Sequence, residues 1–237
     1  SIKNTYGTGC FMLMNTGNKI IKSNNGLLST IAWRIENNIS YSLEGSIFIG
    51  GAAIQWLRDE LGIIKTSDQS EKEALKSTES KNLYMVPAFN GLGAPYWDMY
   101  ATGLIIGITI DTNNSDIIKA TLDSIAYQTK DVLISMENDA GSKIKTLNVD
   151  GGASNNNYLM QFQSDILGIN IKRPKNTEIT ALGAGYIAGL KASFWDMDHL
   201  KTLNTNNTLF HHSYNKNQID DLYNKWKKAI HRSMNWN

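Results

Sequence analysis

The stretch Val149-Asp150-Gly151-Gly152-Ala153-Ser154-Asn155-Asn156-Asn157 constrains the fold more than any other. Ahead of it, Ile144 to Val149 alternates apolar and polar residues, the period of a half-buried strand. Behind it, Tyr158 to Leu167 carries apolar residues at helical spacing. The chain therefore reads strand, Gly-Gly turn, helix. Glycine lacks a Cβ and tolerates positive φ, so the backbone of such a turn can approach a ligand closely. The first turn of the helix would offer unpaired N–H groups and a positive dipole end to an anion. Ser154 or Asn155 is expected to cap that helix. A tight strand–helix turn without a ligand is the alternative, because two glycines are less than a full fingerprint.

At 237 residues the chain can build one large domain or two small ones around a substantial core. Its 41% hydrophobic and 19% charged residues place it among globular proteins. A net charge of +1 gives no electrostatic footprint for nucleic acid or an acidic membrane, and neither is expected as a partner. The single cysteine, Cys10, has no second thiol for an intrachain disulfide. No apolar run approaches the roughly 18 residues of a membrane span, and no basic, apolar leader opens the chain. The expected location is cytoplasmic. The start at Ser1, without methionine and directly before a strand-like segment, suggests half of something larger.

Residues 4 to 15 read as one strand containing Gly7-Thr8-Gly9. A turn at Thr16-Gly17-Asn18 and a strand around Ile20 and Ile21 follow. Leu27 to Trp33 and Ile39 to Leu43 are two more, joined through Glu36-Asn37-Asn38, which makes an antiparallel meander. Glycines inside a strand mark a bulge or a close backbone approach. With the Thr8 hydroxyl between them, they make either a plain bulge or a phosphate-gripping hairpin. Ser46 to Leu61 has a helical apolar surface interrupted by Gly50-Gly51, each costing about 1 kcal/mol of helix propensity. Either the helix starts after Gly51 or its backbone presses on a neighbour or ligand. Gln55, one turn on and on the same face as Gly51, would meet the same partner. Ser67 to Lys81 is polar, with an exposed helix through Glu71 to Leu75 whose charges read as a solvated face.

Leu83 to Val86 is a short buried strand, and Pro87 to Asp98 a structured loop rich in proline, glycine and aromatics. Gly103 to Ile110 reads as a strand. Asn114-Ser115-Asp116 caps a long helix from Ile117 to about Asp139, with Ile118, Leu122, Ile125, Ala126, Thr129, Leu133 and Met136 as its buried stripe. Ile169 to Ile171 is a strand ended by Pro174. Thr177 to Lys191 is a helix whose small residues, from Ala181 to Leu190, allow a neighbour to pack closely. Phe194 to Leu200 is a short helix or turn, and Asn204 to Asn207 a polar linker. Ile219 to Trp236 is a final amphipathic helix, apolar through Leu222, Trp226, Ala229 and Ile230 and solvated through Lys225, Lys227 and Lys228.

There is no Gly-x-x-x-x-Gly-Lys-Ser/Thr loop, no Gly-x-Gly-x-x-Gly and no Cys/His cluster at metal spacing. His199, His211, His212 and His231 lie outside any Gly-x-Ser-x-Gly context, so a serine triad has no support. What remains is a combination of segments: Lys3 to Gly17, Ile54 to Asp59, Pro87 to Phe89, Gly91 to Asp98, Ser124 to Thr129, Val149 to Ala153 and Leu159 to Leu167. In that order and register they resemble the C-terminal half of the FGGY carbohydrate kinases. Gly103 through Asp123 has the form of that family's second signature. Within the family the likeness is greatest to the members that act on glycerol. Thr109-Ile110-Asp111 departs from the usual Thr-Arg-Gly, Trp33 to Glu36 departs from a small, glycine-bearing stretch, and residues beyond about Lys201 match loosely.

The resemblance implies an α/β fold of the actin-like ATPase, ribonuclease-H-like class, with an antiparallel N-terminal meander in a mixed sheet flanked by helices. Residues 1–237 would be the C-terminal, nucleotide-binding domain of an enzyme that phosphorylates glycerol to glycerol 3-phosphate with ATP and Mg²⁺. It implies terminal-phosphate contacts at Gly7 and Thr8, and phosphate and ribose contacts at Gly51 and Gln55. Gly151, Gly152 and Asn156 would hold the adenosine, and Phe11 would form an apolar wall for glycerol. The helix from Ala181 to Leu190 fits an interdomain hinge. The catalytic base would belong to an N-terminal kinase domain outside this chain, which leaves Asp98 and Asp150 as structural residues and the chain alone inactive. The implied partners are glycerol, ATP or ADP and that N-terminal domain, with a homo-oligomer left open. The alternatives are a non-catalytic actin-like nucleotide-binding module and a kinase of the same family for another sugar or polyol.

Overall fold

The computed structural model describes residues 1–77, 82–203 and 206–236. Strands β1 (Ile2–Tyr6) and β2 (Cys10–Gly17) form a hairpin with Gly7-Thr8-Gly9 as its turn. This corrects the single strand expected over residues 4 to 15: Gly7 donates to the Gly9 carbonyl at 2.9 Å and reverses the chain. No strand forms around Ile20 and Ile21. Ile20 is exposed, and the Ile21 carbonyl accepts from the Ser29 hydroxyl instead. Strands β3 (Leu28–Ile35) and β4 (Asn38–Ile47) follow, then helices α1 (Gly51–Asp59) and α2 (Gln69–Ala74). β5 (Tyr84–Val86) and β6 (Leu104–Ile106) precede the long α3 (Asn114–Ala140). β7 (Thr146–Asp150), α4 (Asn157–Leu167) and β8 (Asn170–Pro174) make a strand–helix–strand unit. The chain ends through α5 (Ile179–Lys191), α6 (Met197–Thr202), β9 (Asn207–Phe210) and α7 (Lys216–Ser233).

Seven strands form one mixed sheet in the order β3-β4-β2-β1-β7-β8-β9, while β5 and β6 pair separately. The four N-terminal strands are antiparallel, as expected, but β4 lies between β2 and β3 rather than beyond β3. Burial follows that order. β4 hides Leu43 and Ile47 completely, whereas β3 leaves Leu28, Ile31 and Trp33 exposed, as an edge strand does. β1 and β7 run parallel, with Lys3 opposite Asn148 and Thr5 opposite Asp150. β7 and β8 are also parallel, joined by α4 as parallel strands require a crossover.

Three further expectations change. The strand expected from Gly103 to Ile110 shrinks to β6, because at Gly107 the backbone turns to φ 96° against the Asn82 carbonyl. Residues beyond it, including the almost fully exposed Ile110, belong to no strand. The polar linker at residues 204–207 gives way at Asn207 to β9, antiparallel to β8. Positions 204–205 of that linker, and 78–81 of the polar stretch before β5, lie outside the described residues.

α3 organises the core. The cap is Asn113, one residue ahead of the expected Asn114-Ser115-Asp116, so the helix begins at Asn114 and not Ile117. Asn113 and Asp116 form a reciprocal capping box, and Gly141 closes the helix in the left-handed conformation. Its 27 residues span about 40 Å. Instead of a single buried stripe, the run from Ala120 to Leu133 is buried all round, because the sheet lies on one side and α2, α4, α7 and β5 on the other. Tyr127 stacks on the fully buried Trp226 of α7, with ring centroids 5.1 Å apart, and meets Phe162 of α4 edge-on. Among the described residues no helix is long and apolar enough to cross a membrane.

Several polar groups inside this core fasten its helices together. Asp131 accepts from the Tyr223 hydroxyl at 2.5 Å and the Trp226 indole N–H at 2.8 Å, and so fastens α7 to α3. Burial lifts its carboxyl to about 6, against about 3.9 for an unfolded aspartate. The folded chain thus holds that proton more tightly, and the associated stability is present below about pH 4 and lost as pH rises through about 6. The margin in urea-unfolding free energy of the parent over Asp131→Asn should therefore widen as the buffer goes from about pH 7 to about pH 5. A margin that stays flat would mean the group ionises as freely in the fold as outside it.

Candidate functional site

Two glycine-bearing turns meet where β1 and β7 end. At the first, the hairpin's carbonyls accept the opening amides of α1: Gly51 donates to Gly7 at 2.8 Å, and Gly50 and Ala52 donate to Thr8 at 2.8 and 3.0 Å. A Cβ on residue 51 would stand 2.6 Å from the Gly7 carbonyl oxygen, so only glycine lets the helix begin this close. Both readings of Gly50-Gly51 hold together: the helix starts at Gly51, and its start presses on a neighbour. Ser46 and Ile47, expected in the helix, end β4 instead. With their carbonyls turned towards α1, Gly7 and Thr8 stay exposed on the other side. Behind them Cys10 is fully buried, and burial pushes its thiol up to about 12, so it packs as a neutral side chain.

At the second turn, Gly151 adopts φ 86° and ψ 166°, a region essentially closed to other residues. Its N–H donates to the Thr177 carbonyl at 2.8 Å, and its carbonyl accepts from the Ser154 amide at 3.1 Å and hydroxyl at 2.6 Å. A Cβ there would meet the Tyr6 carbonyl oxygen at 2.5 Å. Gly152–Asn155 then forms one 3-10 turn before α4 begins. The helix cap is Asn156, whose Oδ1 accepts the Leu159 N–H at 2.9 Å, and not Ser154 or Asn155. Ser154 is already committed to Gly151.

The start of α4 is not open to a foreign anion. The Glu71 carboxylate accepts from the Asn157 backbone N–H at 2.8 Å and from its side-chain amide at 3.1 Å. A negative charge of the protein's own thus sits at the positive end of the helix. Glu71 is therefore engaged, not the solvated charge expected of it. Beside it, the fully buried Ser70 accepts from Asn156 Nδ2 at 3.2 Å. The first amides of the 3-10 turn have no acceptor within the turn.

Gly7, Thr8, Gly51, Gln55, Gly152 and Asn156 line one cleft of about 770 Å³. Gly151 stands behind its wall, packed on Tyr6. Ser67, Asp68, Ser70 and Glu71 form the facing wall, which the sequence did not reveal. α2 has only six residues and buries only Ser70 and Ala74, too little for a periodic stripe to register.

Phe11 is not brought to this cleft. Along β2 the side chains alternate: Cys10, Met12 and Met14 point into the core, while Phe11 is half-exposed on the opposite face. There it lines a second cleft, of about 880 Å³, with Lys3, Trp33, Asp150, Ile179 and Thr180. Asp150 is buried and pairs with Lys3 at 3.0 Å, and its other oxygen has no partner among the described residues. Asp98 accepts from the amides of Tyr100, Ala101 and Asn235. α5 has no buried residue, and a Cβ on Gly183 or Gly185 would meet open space, whereas Gly189 is packed against the Trp195 ring that follows the helix. Among the described residues no three His, Cys, Asp or Glu side chains converge as a cation cage.

With this geometry established, the sequence matches the C-terminal domain of the FGGY family of carbohydrate kinases over residues 2–192. It is 58% identical over 235 residues to a glycerol kinase of Thermoanaerobacter sp. (strain X514), covering 99% of this chain and 47% of that protein. The chain thus spans about half the length of the curated relatives it matches. The fold superposes on a Plasmodium falciparum glycerol kinase solved with ADP, with TM-score 0.89 and 35% identity, over 98% of this chain and 47% of that one. A xylulose kinase from Lactobacillus acidophilus shares the fold at TM-score 0.81 and 18% identity, over 98% of this chain and 47% of that one.

The two adjacent glycines should behave differently on substitution. A Cβ on Gly152 meets nothing within 4 Å, whereas one on Gly151 meets the Tyr6 backbone. Gly151→Ala is expected to cost about 2 kcal/mol or more of unfolding free energy, and Gly152→Ala less than about 0.5 kcal/mol. Thermal and urea unfolding of the two variants would check this, and equal losses would contradict it.

Proposed function

The chain belongs to the FGGY family of carbohydrate kinases, with the α/β fold of the actin-like ATPases, and from that premise we propose that it holds ATP for phosphoryl transfer to glycerol. The observation that carries the reading is the single cleft formed by Gly7, Thr8, Gly51, Gln55, Gly152 and Asn156, drawn from segments far apart in the chain. Relatives of 52–58% identity named glycerol kinase support glycerol as the substrate. The ADP of the Plasmodium structure supports the nucleotide.

In this reading the Thr8 hydroxyl holds the terminal phosphates. Gly7, whose N–H and carbonyl are engaged by Gly9 and Gly51, lets them approach closely for want of a side chain. Gly51 and Gln55 run along the phosphate and ribose side. Gly152 forms the wall against the adenosine, with Gly151 shaping the turn from behind. Asn156 has its Oδ1 committed to the α4 cap, so it offers a ligand only what remains of its amide. Phosphoryl transfer asks mainly for positioning and charge neutralisation, to which this cleft would contribute close backbone approach and the Thr8 hydroxyl. Mg²⁺ would travel with the nucleotide. The described residues offer it no carboxylate cage, so its ligands would be the phosphates and groups outside this chain.

The remainder of the site would come from an N-terminal domain of the same enzyme. It would bring the base for the attacking hydroxyl and the groups that grip the polyol. Phe11 and the uncovered face of α5 lie on the second cleft, where such a domain can close. Residues 1–237 would then form the nucleotide-binding domain, and alone they should not turn over glycerol.

Calorimetric titration with Mg-ADP tests the half-site. The parent chain should bind, and Gly152→Val should lose binding while melting within a few degrees of the parent, because its side chain enters the cleft and not the core. Equal affinity in both chains would remove the nucleotide from this cleft.

A further inference from the structure

The wall of the proposed nucleotide cleft is a short 3-10 turn whose internal bonds are those of Ser154 to the Gly151 carbonyl and of the Asn156 amide to Ala153. A further grip comes from outside. Arg173, on β8, donates through one guanidinium nitrogen to the Ser154 carbonyl at 2.7 Å and through the other to Asn157 Oδ1 at 2.9 Å. The guanidinium also lies over the Phe210 ring, 5.1 Å from its centroid, which fixes its plane from the β9 side. The same Asn157 side chain turns its amide nitrogen to Glu71 on α2. Glu71, Asn157, Arg173 and Ser154 thus form one chain of polar contacts that crosses beneath Gly152–Asn155.

We propose that Arg173 is a positioning residue for the nucleotide: it holds the Gly152–Asn155 turn where that turn forms the cleft wall, with Asn157 relaying the restraint to Glu71. The inference rests on the nucleotide reading of the preceding subsection. Arg173 is not on the cleft wall and acts only through the turn. Two charge-assisted hydrogen bonds to backbone and amide acceptors are among the stronger restraints a side chain can place on a turn. A planar fork is needed for both, so lysine can replace only one of them. On the opposite side, Glu71 anchors the same element to α2, and the cleft width is set by these two attachments together with the Ser70–Asn156 contact.

The test combines Mg-ADP calorimetry with amide hydrogen exchange on the parent 237-residue chain and on Arg173→Met, Arg173→Lys and Glu71→Gln. Arg173→Met should bind Mg-ADP about tenfold more weakly, the order expected for losing hydrogen bonds to a charged group. Exchange should quicken across residues 152–157 and not in α3, and Arg173→Lys should fall between the two. Should Arg173→Met fail to fold, Arg173→Lys and Glu71→Gln carry the same comparison, each with weaker binding and faster local exchange. Unchanged affinity despite faster exchange of the turn would overturn the proposal and leave the nucleotide site standing. Faster exchange through α3 as well would mark Arg173 as a general stabiliser and overturn it too. Absence of binding by the parent would defeat the nucleotide reading, and this inference with it, without reference to any variant.

Discussion

Strands β1 and β7 run side by side in parallel, and where they end the carbonyl of Tyr6 fills the space that a Cβ on residue 151 would take. This contact joins the antiparallel half of the sheet to the parallel half. It also brings the Gly7-Thr8-Gly9 hairpin beside the Gly151-Gly152 turn, which are more than a hundred residues apart. Tyr6 is held from the other side as well: its hydroxyl donates to Gln163 at 2.8 Å, and Gln163 donates to the Ala126 carbonyl at 3.1 Å. Burial keeps that phenol neutral far beyond ordinary pH, so it remains a donor. The cleft is thus built on a backbone approach that is itself tied to α3 and α4.

The core uses its polar groups as fasteners. Asp131 secures α7, Lys130 donates to the Ile166 carbonyl at 2.5 Å at the end of α4, and Asp123 takes both Lys119 and the Tyr158 hydroxyl. Asp131 ties α3 to α7, while Asp123 and Lys130 tie it to the two ends of α4. A purely apolar α3 would pack as well, but it would not fix the rotation and register of its neighbours in this way. That register matters at the cleft, because α4 carries the cap and the turn that form one wall.

What the chain leaves uncovered is as informative as what it packs. The sheet face bearing Phe11, Leu13 and Trp33 is lined on one side by an α5 with no buried residue, and one oxygen of Asp150 has no partner there among the described residues. The glycine-walled cleft lies on a different part of the surface, bounded also by α2. A domain that spans about half of its relatives, with one cleft formed and one face open, fits the proposed division of the site between two halves.

Much of this was legible in the residues. Alternation and helical spacing marked the strand, turn and helix around Gly151-Gly152, and capping chemistry marked the start of α3. The motif segments carried the family and with it six of the cleft residues. Local pattern determined these because each rests on neighbours within a few positions. Other features were decided only when the chain folded back on itself: the place of β4 between β2 and β3, the short β6, the strand at Asn207–Phe210, and Glu71 at the head of α4. Glu71 looks like any solvated carboxylate until a helix more than eighty residues later turns its positive end towards it. Sequence fixes which side chains and turns are available. Long-range burial and the need to satisfy distant backbone groups decide which of them meet.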